Sequence, residues 1–247
     1  MQPSRPIAHP PALDAHELSL FLDFDGTLVD LAERPDAVVV GDNLTALLSR
    51  LARRLSGRLA LVSGRSIAQL DVLIGPDARN LATVGSHGAE IRAVGGSVAG
   101  GERPAGLQQA EAAFREAFAG RKGIIIEVKS LGVALHYRQD PSSEAAAHAL
   151  AERLAAANAL EVQKGKMMVE LRAGGHDKGS AIAALMRGPP FEGHMPVFLG
   201  DDVTDEPGFE RCAAMGGAGI LVGPERPTAA AYRLASVAAA HDWLAAL

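Results

Sequence analysis

Asp23-Phe24-Asp25-Gly26-Thr27 sets two carboxylates two residues apart, directly behind the apolar run 18–22. On a turning backbone at the end of a buried strand, such a pair sits close together. One carboxylate can ligate a hard cation and attack phosphorus, while the other carries a proton to the leaving oxygen. A transient aspartyl phosphate would divide one difficult hydrolysis into two easier steps. The plain alternative is a strand-to-loop turn, since Asp-Gly is common in turns.

Three further stretches carry matching chemistry. Gly200-Asp201-Asp202-Val203-Thr204-Asp205-Glu206 crowds acids behind another apolar run, 196–199. Their mutual repulsion calls for a counter-ion, and Mg2+, which takes oxygen ligands and keeps several waters, suits it. A solvated acidic loop leading into a helix is the alternative. Ser63-Gly64-Arg65-Ser66 follows the run 59–62 and opens a helix, so its hydroxyl and backbone amides could seat a phosphate or simply cap that helix. Lys178, at the start of a helix predicted over 177–186, opposes the helix dipole. That position makes sense if the ammonium neutralises an aspartate and a phosphoryl group, although a surface lysine is the commoner case.

Behind these residues stand elements that must hold them. Apolar runs at 18–22, 58–62, 81–84, 197–199 and 219–222 alternate with helical patterns at 43–55, 67–74, 177–186, 206–215 and 235–247. That alternation predicts an α/β fold: a doubly wound, largely parallel, Rossmann-like sheet. Each of the four stretches would lie where open α/β sheets bind ligands, at the carboxyl ends of strands. The middle differs. A Gly- and Pro-rich stretch, 95–106, reads as a linker. After it the order is helix 107–118, strands 123–127 and 132–137, helix 142–157, and strands 160–163 and 167–171, which suits a small α+β domain. The expected division is a core at 1–100 and 174–247 with an inserted cap at 101–173.

Composition narrows the function. With 247 residues and 48% hydrophobic content the chain can bury a substantial core. A net charge of −5 and no basic block argue against nucleic acid or an anionic membrane as partner. No apolar run reaches the length of a membrane span, and residues 1–17 lack a signal peptide's apolar stretch. The single Cys212 reads as a small buried residue in a helix. A cytoplasmic monomer acting on a small molecule is the expectation.

The order of the four stretches, with an insert between the second and third, resembles the haloacid dehalogenase (HAD) superfamily of phosphatases. That resemblance implies Asp23 as nucleophile and Asp25 as general acid/base, with Ser63 and Lys178 holding the phosphoryl group. It implies Mg2+ on Asp23, Asp201 and the Asp25 backbone carbonyl, supported from farther out by Asp202 and Asp205. The details resemble the trehalose-6-phosphate phosphatase branch. They are Gly200-Asp201-Asp202-x-Thr204-Asp205-Glu206, Gly85-Ser86-His87-Gly88-Ala89-Glu90, Glu127-x-Lys129, His136-Tyr137-Arg138 and Lys166-x-x-x-Glu170. By that likeness Gly64, Arg65, His87, Glu127, Lys129, Arg138, Lys166 and Glu170 would contact substrate. Glu127 with Lys129, and Lys166 with Glu170, are evenly spaced on strand candidates, so each pair would share a sheet face.

The implied activity is Mg2+-dependent hydrolysis of trehalose 6-phosphate. Its rivals are a sucrose-phosphate or mannosyl-phosphoglycerate phosphatase of the same superfamily and, from another class, a noncatalytic sugar-phosphate sensor. A phospho-acceptor signalling module uses similar residues, but such modules are about half this length and lack an insert.

Overall fold

All five residues of Leu18–Leu22 (β1) are buried. A strand paired on both edges, with helices over both faces, meets no solvent and so tolerates an unbroken apolar run. The computed structural model describes residues 7–32, 37–100 and 103–247. These form two compact units, one of residues 1–99 and 177–247 and the other of residues 100–176. Positions 1–6 of the expected N-terminal tail and 101–102 of the expected linker lie outside the described residues.

In the larger unit β1 runs parallel to Leu59–Val62 (β2) on one edge and to Met195–Gly200 on the other. Ala82–Gly85 (β3) extends the sheet parallel to β2. Glu90–Arg92 (β4) adds antiparallel to β3, and Val98–Gly100 (β5) closes that edge. On the far side, beyond Met195–Gly200 (β10 in chain order), come Ala218–Val222 (β11) and Tyr232–Leu234 (β12), both parallel. The order β12-β11-β10-β1-β2-β3-β4-β5 makes β1 and β10 the place where strand succession reverses, the usual ligand position in such sheets.

Side chains alternate across β1. Leu18, Leu20 and Leu22 join one core with Leu44, Leu48 and Leu51 of helix Asp42–Arg54 (α1) and Trp243 and Leu244 of helix Val237–Ala246 (α7). Phe21 points to the opposite core, with Ile182 of helix Lys178–Leu185 (α5) and Phe209 of helix Glu206–Ala214 (α6). Each fully buried Leu or Phe contributes roughly 1.5–3 kcal/mol by leaving water, so β1 is firmly anchored in the sheet. Helix Ile67–Ile74 (α2) follows β2, with Ser66 and Gln69 forming a reciprocal capping box.

The smaller unit holds four antiparallel strands in the order β6-β7-β9-β8. They are Ile125–Val128 (β6), Gly132–His136 (β7), Leu160–Gly165 (β8) and Met168–Ala173 (β9). Helices Ala105–Ala117 (α3) and Glu144–Asn158 (α4) cover one face, where Leu107, Phe114, Val133, Leu135, Val169 and Leu171 are buried together.

The structure departs from the sequence expectation in places. Strands β4, β5 and β12 have three residues each, too few for a period-2 pattern to register, and β5 lies inside the stretch read as a linker. Lys166 is not on a strand. It occupies the two-residue turn between β8 and β9, so it cannot share a face with Glu170 by even spacing. Lys129 lies one residue beyond β6, its amide still donating to the Gly132 carbonyl.

Candidate active site

Three adjacent strand ends supply the acids and hydroxyls. Asp23 follows β1, and its amide donates to the Leu199 carbonyl of β10 at 2.9 Å, which ties the two loops together at their root. Lys178 opens α5 behind the N-cap Asp177, whose carboxylate accepts from the Ser180 amide at 2.6 Å. The lysine does not reach solvent. Its Nζ donates to Asp23 Oδ1 at 2.6 Å and to Asp205 Oδ1 at 2.5 Å. The other oxygen of Asp205 accepts from the amides of Asp201 and Asp202 at 2.9 and 3.0 Å. Asp205 is thereby fully engaged and fully buried.

Burial pulls the Lys178 ammonium down, but the charges of Asp205 and Asp23 outweigh it and leave the group above its ordinary value, protonated. Burial and then the Asp205 charge drive Asp23 well above the carboxylate range, with Lys178 pulling the other way. Burial, then Asp205 and Asp202, push Asp201 up to about 7. Carboxylate oxygens of Asp23, Asp201 and Asp205 lie within 4.8 Å of one another. Three acids against one ammonium leave a surplus of negative charge on an all-oxygen donor set. That set fits a hard divalent cation. Asp202 is exposed, and its carboxylate accepts from the Val203 amide at 2.7 Å, capping a short 3-10 turn.

Gly26 explains why the loop after β1 can approach this site. Its φ is +78°, and a Cβ there would come within 2.1 Å of the Asp201 carboxylate. Asp25 turns to Arg65, whose Nε and Nη2 each donate to a carboxylate oxygen at 2.7 Å. This two-pronged grip is the strong form of an Arg–carboxylate contact. Arg65, expected to meet substrate, holds the second aspartate in this structure.

Ser63 is buried, and its Oγ accepts from the Arg65 amide at 3.1 Å. Two of the amides that open α2 have partners within the fold. Ile67 donates to Glu90 Oε2 at 2.8 Å, and Gln69 donates to Ser66 Oγ at 3.2 Å. Glu90 thus plugs the positive end of the helix. The His87 amide donates to the Ser63 carbonyl, and the Ser86 amide to the Arg65 carbonyl, stitching this turn to the Ser63 loop. Ser86 and His87 both have left-handed φ, near 50° and 55°, a conformation that costs of order 1–3 kcal/mol per non-glycine residue. The His87 ring lies over Gly64, where a Cβ would come within 2.5 Å of it.

In the smaller unit, register places Glu127, His136, Glu170 and Gln163 on the face opposite the helices. Lys129 Nζ donates to Glu170 Oε2 at 2.7 Å, and His136 Nε2 lies 3.0 Å from Glu127 Oε2. Arg138 is exposed in the turn after β7, and Lys166 is exposed in its hairpin turn. His136 enters this polar cluster unassigned by the sequence reading, as do Glu90 and Arg226 at the larger unit. Glu90 carried a signal in the Gly-x-His-Gly-x-Glu stretch, and His136 carried one in its spacing from Glu127. Arg226 lies in a loop, with nothing in its local sequence to mark it.

Comparison with known proteins follows the same lines. Residues 21–238 match the family model described as trehalose-phosphatase. The chain is 40% identical to the trehalose-6-phosphate phosphatase of Escherichia coli over 98% of its own length and 90% of that protein's. It is 41% identical to a probable trehalose-phosphate phosphatase of Sinorhizobium fredii, over 92% and 85%. Its fold superposes on the C-terminal domain of the C. albicans trehalose-6-phosphate phosphatase with a TM-score of 0.79 at 23% identity, covering 96% and 97% of the two chains. A match spanning both units at this identity leaves one assignment: the chain belongs to the trehalose-phosphatase family.

Proposed function

We propose that this chain hydrolyses trehalose 6-phosphate to trehalose and phosphate, with Mg2+ as its metal and Asp23 as the transient phosphate acceptor. The observation that best supports it is the buried Lys178, which bridges Asp23 and Asp205 beside the Asp201 carboxylate. Asp23 attacks phosphorus, the bond from phosphorus to the sugar oxygen breaks, and Asp25 gives that oxygen its proton. Asp25 then takes a proton from water, which attacks the phosphorus of phospho-Asp23 and frees the carboxylate. Arg65 holds Asp25 beside the site through both oxygens, and Asp25 leaves that contact to carry a proton in each transfer. Ser63 and Lys178 hold the phosphoryl oxygens. Asp23, Asp201 and the Asp25 backbone carbonyl would hold Mg2+, which supplies positive charge opposite the developing phosphate charge.

The sugar is assigned to Glu127, Lys129, Arg138, Lys166 and Glu170 of the smaller unit, read as the substrate-selecting domain, and Gly64 and His87 are placed beside the phosphate. A cytoplasmic monomer needing no nucleic-acid or membrane partner belongs to the same proposal; size-exclusion chromatography reports its assembly state. The decisive measurement is phosphate release from trehalose 6-phosphate, sucrose 6-phosphate and mannosyl-phosphoglycerate with Mg2+ or EDTA. Trehalose 6-phosphate should lead, and Asp23→Asn should abolish turnover. A preference for another sugar overturns the substrate, and near-normal turnover by Asp23→Asn overturns the chemistry.

A further inference from the structure

The loop that carries Asp201 is held from two sides. On one side, Asp205 Oδ2 accepts from the amides of Asp201 and Asp202. On the other, Arg226 donates from Nε to the Asp201 carbonyl at 3.4 Å and from Nη2 to the Asp202 carbonyl at 2.7 Å. The peptide after the metal-facing aspartate is therefore gripped at both C=O and N–H, the peptide before it at its N–H, and the Asp202 carbonyl beyond it as well. Arg226 Nη1 in turn contacts Glu206 Oε1 and the Pro227 carbonyl, while Glu206 Oε2 accepts from the Ala229 amide at 2.7 Å. Arg226 comes from the loop between β11 and β12, so two strand-end loops become one unit. The guanidinium addresses carbonyls, leaving the Asp201 carboxylate its charge.

We infer that Arg226 and Glu206 form a clamp that sets the aim of Asp201 toward the metal position, making Arg226 a positioning residue for metal binding. The inference rests on the Mg2+ reading above. A planar fork with donors fixed in direction can hold two carbonyls and a carboxylate at once, whereas a lysine is a point charge on a flexible stem. Glu206, which looks like part of the acidic metal loop, has both carboxylate oxygens turned to the clamp.

The test is Mg2+ binding by isothermal titration calorimetry on wild type, Arg226→Ala, Arg226→Lys and Glu206→Gln, each checked for folding by circular dichroism and for melting temperature in EDTA. Support partners of metal ligands typically matter by 10–100-fold, so Arg226→Ala should bind Mg2+ about 10–100-fold more weakly. Arg226→Lys should recover only part of that loss. Glu206→Gln, which can accept from only one of Arg226 and the Ala229 amide, should lose affinity in the same direction but by less than Arg226→Ala. A merely structural role would lower the melting temperature in EDTA and leave the affinity of the folded protein unchanged. Affinity within about twofold of wild type in folded Arg226→Ala, or full recovery by lysine, overturns the clamp. Should wild type take up no Mg2+, the metal reading falls and the clamp falls with it. Should wild type and Arg226→Ala bind alike, the clamp falls alone.

Discussion

Replacing Lys178 by Met keeps the length and apolar stem of the side chain and deletes its charge. In the wild-type fold that charge lies 2.6 Å from Asp23 and 2.5 Å from Asp205, all three side chains being almost or entirely shielded from water. Breaking a buried ion pair from one side costs about 3–5 kcal/mol, because the partner stays buried without compensation. A chain of this length loses roughly 2–4 °C of melting temperature per kcal/mol. Scanning calorimetry in EDTA should therefore place Lys178→Met about 6–20 °C below wild type. Mg2+ should raise the variant's melting temperature more than it raises wild type's, since the ion meets three carboxylates with no competing ammonium. Phosphate release at saturating Mg2+ should fall by about 10²–10³, the usual loss for one oriented donor at a charged transition state. A melting temperature within about 2 °C of wild type in EDTA would refute the view that this lysine holds the acidic cluster together.

Three other outcomes follow from the same site. Arg65→Ala frees Asp25, so turnover of a sugar phosphate, whose leaving oxygen needs a proton, should drop by about 10²-fold or more, while the release burst from p-nitrophenyl phosphate should change far less; equal losses on both substrates would show that Arg65 does not act through the acid. In EDTA the fold should lose stability as pH rises. Asp201 is raised to about 7, so its contribution is complete below its ordinary value of 3.8 and is lost as pH climbs through 7. The urea midpoint in EDTA should fall between pH 5 and 7.5, less steeply in Asp201→Asn, and an equal slope in that variant would contradict the assignment. Cys212, buried and pushed up to about 12, should resist iodoacetamide at pH 8 in the native state and react fully in urea; rapid native labelling would show that α6 opens readily.

What could be read in advance depended on how local each signal was. Asp23, Ser63 and Asp201 sit just behind apolar runs, and the run is what announces the strand end, so their positions at the carboxyl ends of neighbouring strands were legible. Lys178 was legible through its conflict with the helix dipole, and the structure resolves that conflict with two carboxylates. Lys166 misled because an even spacing means a shared face only while the strand continues, and a two-residue turn interrupts it. The pairing of Arg65 with Asp25 could not be read, because the two lie 40 positions apart, beyond any local pattern. Arg226 was invisible for the same reason, its acceptors on Asp201, Asp202 and Glu206 lying 20 or more positions upstream.

The central place of β1 has a consequence for how the molecule opens. Amides on a strand paired on both edges and packed on both faces exchange with solvent only when the sheet itself comes apart, whereas loops open in small local events. Asp23, bonded through its amide to the Leu199 carbonyl, belongs to the slow class. Asp25, the acidic loop and the Arg226 loop lie beyond the strand ends. Asp23 is thus rooted in the sheet, whereas Asp25 and the loops beyond the strand ends can open in smaller local events.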